Sequence, residues 1–277
     1  MKTTLYALYR SPLNVWVEDA LSHAILTELW ADPQINVLEN HGKPGVQHLV
    51  LANPDPRRYQ VYGVVDRDFD DGNESDWSRA QCSILRTPTH EMENLLLDFD
   101  VLAALSKGEP AEQIRSRAHA HAREILFWMV CKAVLRDMQG HLGSGFPGDP
   151  RLDALRSLEA VEHHLARHAY WTEHDAHWTR WSDAAHRGEA VRTWHELLHA
   201  ELDGEGWLST FSGKELFRYL RSHVRGLDDS PARPPLPTDA ERDTNLAKRI
   251  ARKMVELRRI PPAITTMRSV LRAKAGL

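Results

Sequence analysis

Residues 61–71 read VYGVVDRDFDD, an almost unbroken apolar run that stops abruptly on acids. Val61, Tyr62, Gly63, Val64 and Val65 lack the polar alternation of a half-exposed strand, so they are expected to form a strand covered by helices on both faces, as in a parallel sheet. In open α/β sheets ligands gather outside the carboxyl ends of the strands. Asp66 and Asp68, followed at once by Asp70 and Asp71, therefore stand where a site is expected rather than in the core.

Reading outward gives the same architecture. Asn14 to Val17 is a short β-branched and aromatic run, and Asp19 to Trp30 follows with apolar residues at helical spacing. A second strand is expected at Ile35 to Leu38. Gly42 and Gly45 then turn the chain into a helix predicted over Val46 to Ala52, which Asn53-Pro54-Asp55-Pro56 ends. A fourth strand is expected at Ser83 to Leu85. Strands alternating with helices predict an α/β fold with a parallel sheet flanked by helices. From about Phe99 to residue 203 strand signals vanish and long helical segments rich in Ala, Arg, His and Trp take over, broken at Gly140 to Pro150. Trp171, Trp178 and Trp181 share a helical face by spacing, which points to helix packing rather than base stacking. Trp207 to Phe211 reads as a short strand leading through Ser212-Gly213-Lys214 into an amphipathic helix, Glu215 to Val224. Asp228 to Pro237, with four prolines, reads as a linker.

The chain has 277 residues, 42% hydrophobic and 27% charged, an ordinary globular composition. Nowhere do eighteen apolar residues run together, and the first residues lack the pattern of a signal peptide, so a cytoplasmic protein with no membrane span is expected. Cys82 and Cys131 have no metal-ligand spacing and read as packing thiols. The net charge of −4 conceals a division. Residues 1–110 hold 9 basic and 17 acidic side chains, whereas residues 242–277 hold 10 and 2. Such a division suits a first part that needs cations and a tail that meets an anion, although solvated surface accounts for it equally well.

Two further acids join the pair after the third strand. Glu18 ends the first strand in VWVEDALSHAIL, and Glu93 lies in HEMENLLL, just beyond the expected fourth strand. Clustered carboxylates repel one another, and a hard divalent cation, magnesium by default, relieves that repulsion. A single acidic pair is usually a turn or a solvated loop; an ordered set at matching strand ends says more.

That set resembles the Toprim domain of topoisomerases, primases and nucleases of the overcoming-lysogenization-defect type, with Glu18 after the first strand and Asp66-x-Asp68 after the third. The resemblance is closest to Toprim-related bacterial proteins that act as nuclease effectors beside an ATPase in anti-phage defence. It rests on VVDRDFD, on His90 to Leu97 (HEMENLLL) and on Phe211 to Phe217 (FSGKELF). It covers about residues 14–100 and 207–224. The resemblance implies a Toprim-like core over 1–100 and 205–226 with a helical insertion over 101–204 between them; proline content and charge add a linker over 227–240 and a basic helical tail over 241–277. It implies a Mg2+- or Mn2+-dependent nuclease acting on DNA or RNA, an ATPase partner and a homo-oligomer. Asp66 and Asp68 would be primary metal ligands, Glu18 a ligand or the base, Glu93 part of a second metal position, Asp70 an outer ligand, and Lys214 a counter-charge to the scissile phosphate or an ordinary N-terminal helix lysine. One departure is Asp19, where the family commonly has Gly.

Three features compete. His195-Glu196-Leu197-Leu198-His199 fits H-E-x-x-H, the pattern of a zinc peptidase, while Trp194, Leu197 and Leu198 also make it a plain amphipathic helix. His163, His164, His168, His174 and His177 read as a His-rich solvated helix, and His90 could contact phosphate or cap the following helix. Lys248, Arg249, Arg252 and Lys253 give the tail a cationic face able to grip a nucleic-acid backbone or an acidic partner. The Gly213-Lys214 pair lacks the rest of a phosphate loop, so ATP hydrolysis is not expected of this chain. The second functional class is a non-catalytic module that binds nucleic acid or a partner.

Overall fold

The computed structural model describes residues 7–53, 58–70, 74–140, 151, 153, 155–167, 181, 183–228 and 237–277. Trp171, Trp178, His168, His174, His177, Asp71 and most of the Pro-rich linker lie outside these residues. Four parallel strands form one sheet in the order β2-β1-β3-β4: β1 (Leu13–Val17), β2 (Ile35–Glu39), β3 (Gln60–Val65) and β4 (Ile84–Arg86). The α/β class expected from the sequence is the class observed. All five residues of β1 are buried, as a central strand covered on both faces requires. Gly63 lets helix and sheet approach closely, because a Cβ there would stand 2.7 Å from Val46 Cγ1.

The strand order reverses direction between β1 and β3, which makes their carboxyl ends a topological switch point. Val17 is in register with Val64, so Glu18 and Asp66 emerge from neighbouring strand ends. Helix α1 (Ala20–Trp30) starts directly after Glu18 because Asp19 caps it, its Oδ1 accepting from the Ser22 amide at 2.8 Å. Helix α2 (Gly42–Leu51) begins four residues earlier than predicted. Gly42 adopts a φ of 73°, and Pro44 is tolerated because the first turn needs no intrahelical donor.

Beyond the sheet come α3 (Phe99–Leu105), α4 (Ala111–Glu124), α5 (Leu126–Gly140), α6 (Leu158–Ala166), α7 (Ala184–Asp203), α8 (Trp207–Thr210), α9 (Gly213–His223), α10 (Asp239–Glu256) and α11 (Pro262–Ala275). The chain divides into two compact units, Met1–Arg115 with Ser212–Leu277, and Ser116–Phe211. In the second unit α7 packs on α5 and α6, burying Val191, Leu198 and Leu202. The strand expected at Trp207 to Phe211 is instead the helical turn α8. The Ser209 and Thr210 amides bond back to the Gly206 carbonyl, and no strand partner meets this run among the described residues. Gly213-Lys214 thus follows a helix-to-helix turn, not a strand-to-helix turn.

The C-terminal helices belong to the first unit. Helix α10 lays Leu246, Ala247, Ile250, Ala251 and Met254 against α1 and its neighbours. Much of the tail's positive charge is used internally. Arg252 pairs with Glu28, Arg259 with Asp98 and Asp100, Arg272 with Asp32, and Arg249 donates to the Gly226 and Leu227 carbonyls. The acidic first part and the basic tail therefore meet each other in one unit. No helix among the described residues is long and apolar enough to cross a membrane.

Candidate active site at the strand ends

Five segments of the first unit converge at the switch point. From β1 comes Glu18, whose Oε1 accepts the Asp66 amide at 2.7 Å and so ties the ends of β1 and β3 together. Asp66, after β3, is 4% exposed; its Oδ1 accepts the Met92 amide at 2.8 Å and its Oδ2 lies 3.1 Å from Lys214 Nζ. Asp68 sits two residues on with φ 52°, its amide bonded to the His90 carbonyl at 2.7 Å. A positive φ at a non-glycine residue is unusual, and here the chain holds it where the side chain joins an acidic site. From α9 comes Lys214, which also lies 3.7 Å from Asp19. Asp19, found where the resembled family has Gly, thus caps α1 and adds charge beside Lys214.

Sequence reading missed several members. Lys43, in the first turn of α2, meets Asp68 at 2.5 Å and Asp70 at 3.1 Å. It was findable in principle, since the β2 end adjoins the β1 end and Gly-Lys follows it. Asp70 faces Lys43 and Arg86 rather than the other acids. Glu91 is the second omission: its Oε2 accepts from Ser212 Oγ at 2.9 Å and from the Lys214 amide at 2.7 Å, fastening the start of α9 to the segment after β4. His90 does not cap the helical turn Met92–Leu96, since Glu91 takes that position; its ring packs edge-on against Phe69.

Asp68, His90 and Glu91 each bring one ligand atom to within 4.8 Å of the others. This is the one such group among the described residues, and it mixes carboxylate donors, which suit Mg2+ and Mn2+, with an imidazole, which suits ions such as Zn2+. Glu93 stands apart from this trio. It is fully buried, and it lines a cavity together with Asp19 and Lys214.

The electrostatics follow from burying several acids around few cations. Burial, reinforced by Glu91, Glu18 and Asp68, raises the Asp66 carboxyl to about 7 despite Lys214. Burial likewise raises Glu18 and, more strongly, Glu93. Asp68 is also buried, but Lys43 outweighs that cost and holds it below the usual carboxylate range. Lys214 loses some charge stability to burial and regains more from Glu93, Asp66, Glu91 and Asp19, so it remains a cation.

Gly213 explains how Lys214 is placed. A Cβ at 213 would lie 2.6 Å from the Asn94 amide nitrogen and 2.5 Å from its Oδ1, so α9 begins where no side chain fits. Gly213→Ala is expected to destabilise the protein by about 1–3 kcal/mol, because backbone must move to admit the methyl group. Urea denaturation measures this, and an unchanged midpoint would contradict the packing.

The H-E-x-x-H segment lies in the second unit. His195 stacks on Phe127 at 5.7 Å, and His199 pairs with Asp203 at 3.3 Å. Among the described residues no third side chain joins these histidines in a group able to hold an ion.

Comparison with protein-family models, with curated proteins and with solved structures finds no match to this chain.

Proposed function

We propose that this chain is a Toprim-type nuclease, hydrolysing phosphodiester bonds of nucleic acid with bound Mg2+ or Mn2+ at the ends of β1 and β3. The observation that carries the reading is the bond from the Asp66 amide to Glu18 Oε1, which gathers acids from two strand ends beside the Lys214 ammonium. The residues fit a divalent cation: Asp68, His90 and Glu91 offer converging ligand atoms, with Asp66 and Glu18 next to them. A bound cation in such a site neutralises phosphate charge and supplies hydroxide at neutral pH.

The chain's own groups have separate tasks. Glu18, raised by burial and held in orientation by the Asp66 amide, accepts a proton from water. Lys214, kept charged by its acidic neighbours, opposes negative charge on the phosphate. Lys43 steadies Asp68 and Asp70. The role of effector in anti-phage defence, and control by a partner ATPase, are carried by the sequence resemblance alone.

The test compares Glu18→Ala and Asp66→Ala with the wild type on DNA and RNA, in Mg2+ and in Mn2+, together with toxicity of the assembled defence system in cells. Each variant is expected to lose cleavage and toxicity by about a hundredfold or more, the scale for removing one preorganised charge from an active site. Wild-type levels in both variants would refute the site.

A further inference from the structure

A cavity of about 150 Å3 adjoins the acidic cluster and shares Asp19 and Lys214 with it. Leu21 and Phe217 supply apolar surface, and Thr244 and Arg218 add polar groups. The Glu93 carboxyl also lines it. Glu93 is 2% exposed, and its Oε2 has no hydrogen-bond partner, although buried polar atoms are nearly always satisfied. Rotation about the terminal carboxyl torsion is broad and two-fold, so either oxygen can turn to the cavity.

These features define what would complete the site. The ligand needs an N–H donor for Glu93, a flat body for the apolar wall, and a size near one ring system. A carboxyl group keeps an acceptor oxygen whether or not it carries a proton, so the donor requirement stands in either state. The walls set Asp19, Glu93 and Asp243 against Lys214 and Arg218, and Asp243 also pairs with Arg221, so most of the charge is matched within the protein and a neutral donor suffices. Lys214 also reaches Asp66 at 3.1 Å, so a nucleotide with its phosphate at the acidic cluster has its base next to the cavity.

We propose that this cavity is a base subsite taking one nucleobase, an N–H of whose pairing edge, amino or ring, donates to the Glu93 carboxyl. The choice of a nucleobase rests on the nuclease reading; the need for an N–H donor does not. Purine, 3-methyluracil and 1-methylhypoxanthine offer no N–H on that edge and leave Glu93 unsatisfied, and sites built around such a bond reject analogues that lack it.

The test is nucleoside binding to the full-length protein in EDTA, by calorimetry, with pairs that differ by the N–H donor of the pairing edge: adenosine and purine riboside, uridine and 3-methyluridine, inosine and 1-methylinosine. At least one N–H-bearing nucleoside is expected to bind tenfold or more tightly than its partner. Glu93→Leu is expected to remove that ratio, Glu93→Gln to keep it through the amide oxygen, and Ala240→Trp, at an exposed lining position, to block binding. Equal affinities within all three pairs, absence of binding, or an unchanged ratio in Glu93→Leu would overturn the subsite. Short oligonucleotides carrying the same base changes separate the two sources. Discrimination within a strand marks a substrate base, and discrimination by free nucleosides alone marks a free nucleotide; both support the subsite. Neither metal nor cleavage enters the measurement, so its failure leaves the nuclease reading to the Glu18 and Asp66 variants.

Discussion

In metal-free solution, Asp66→Asn is expected to stabilise the protein by up to about 4 kcal/mol above pH 7 and to have little effect near pH 3. Asp66 is fully buried, and its carboxyl is raised from 3.8 to about 7, mainly by burial and then by Glu91, Glu18 and Asp68. A carboxyl with a raised folded-state pKa binds its proton more tightly in the native protein. Its contribution is therefore intact below pH 3.8 and is lost as pH rises through about 7. Asn cannot ionise, keeps an oxygen for the Met92 amide, and escapes that loss. The difference between variant and wild type is the quantity to follow, because Asp68 and Asp32 are lowered and weaken the protein in the opposite direction, as pH falls. Urea denaturation from pH 4 to 8 in EDTA measures it, and a difference independent of pH would sink the argument. Under the nuclease reading, adding Mg2+ or Mn2+ at pH 8 should stabilise the wild type more than Asp66→Asn, because the ion supplies the charge that the acids lack. A site that is unstable until a cation arrives is what clustering acids at a switch point physically entails.

How much of this was legible in the sequence depended on whether a contact is written into one segment. The apolar run Val61 to Val65 and its acidic end were readable because a two-sided strand leaves a one-dimensional trace. Glu18 and Asp66 lie side by side because sheet topology sets their strand ends next to each other, and Lys214 meets Asp66 from the start of α9. Lys43 was missed because its partners, Asp68 and Asp70, are 25 or more residues away, and its place just after β2, beside the β1 end, was the one local sign of them. Glu91 was passed over beside the more conspicuous Glu93, although it is Glu91 that grips Ser212 and the Lys214 amide. The strand expected at Trp207 to Phe211 failed because Trp207, Leu208 and Phe211 stand at i, i+1 and i+4, a spacing that fits a helical turn, and no ladder partner meets the run among the described residues. The cationic tail reads equally as a solvated face or as a surface that meets an anion. Part of its charge pairs with Glu28, Asp32, Asp98 and Asp100, a match of side chains that sequence separation hides.

Asp243→Ala is expected to destabilise the protein by about 3–5 kcal/mol, the usual cost of removing one partner from a buried ion pair. Asp243 on α10 and Arg221 on α9 are 6% and 7% exposed, 2.8 Å apart, with Arg218 also reaching Asp243 at 3.2 Å and Asp239 reaching Arg221 at 2.9 Å. Deleting the carboxylate leaves the Arg221 charge buried with only the more exposed Asp239 to offset it. Arg221→Met together with Asp243→Leu is expected to recover most of the loss, because well-packed apolar residues commonly replace a buried pair at little cost. Denaturant midpoints for the two singles and the double measure the coupling; singles within 1 kcal/mol of the wild type would show that the pair is not buried as described. The consequence reaches the site, since α9 carries Lys214 seven residues before Arg221. Loss of the clamp should therefore lower any cleavage activity even at temperatures where the protein stays folded, whereas the apolar double variant should keep both the fold and the activity. That contrast separates a clamp that positions Lys214 from a charge that takes part in the chemistry.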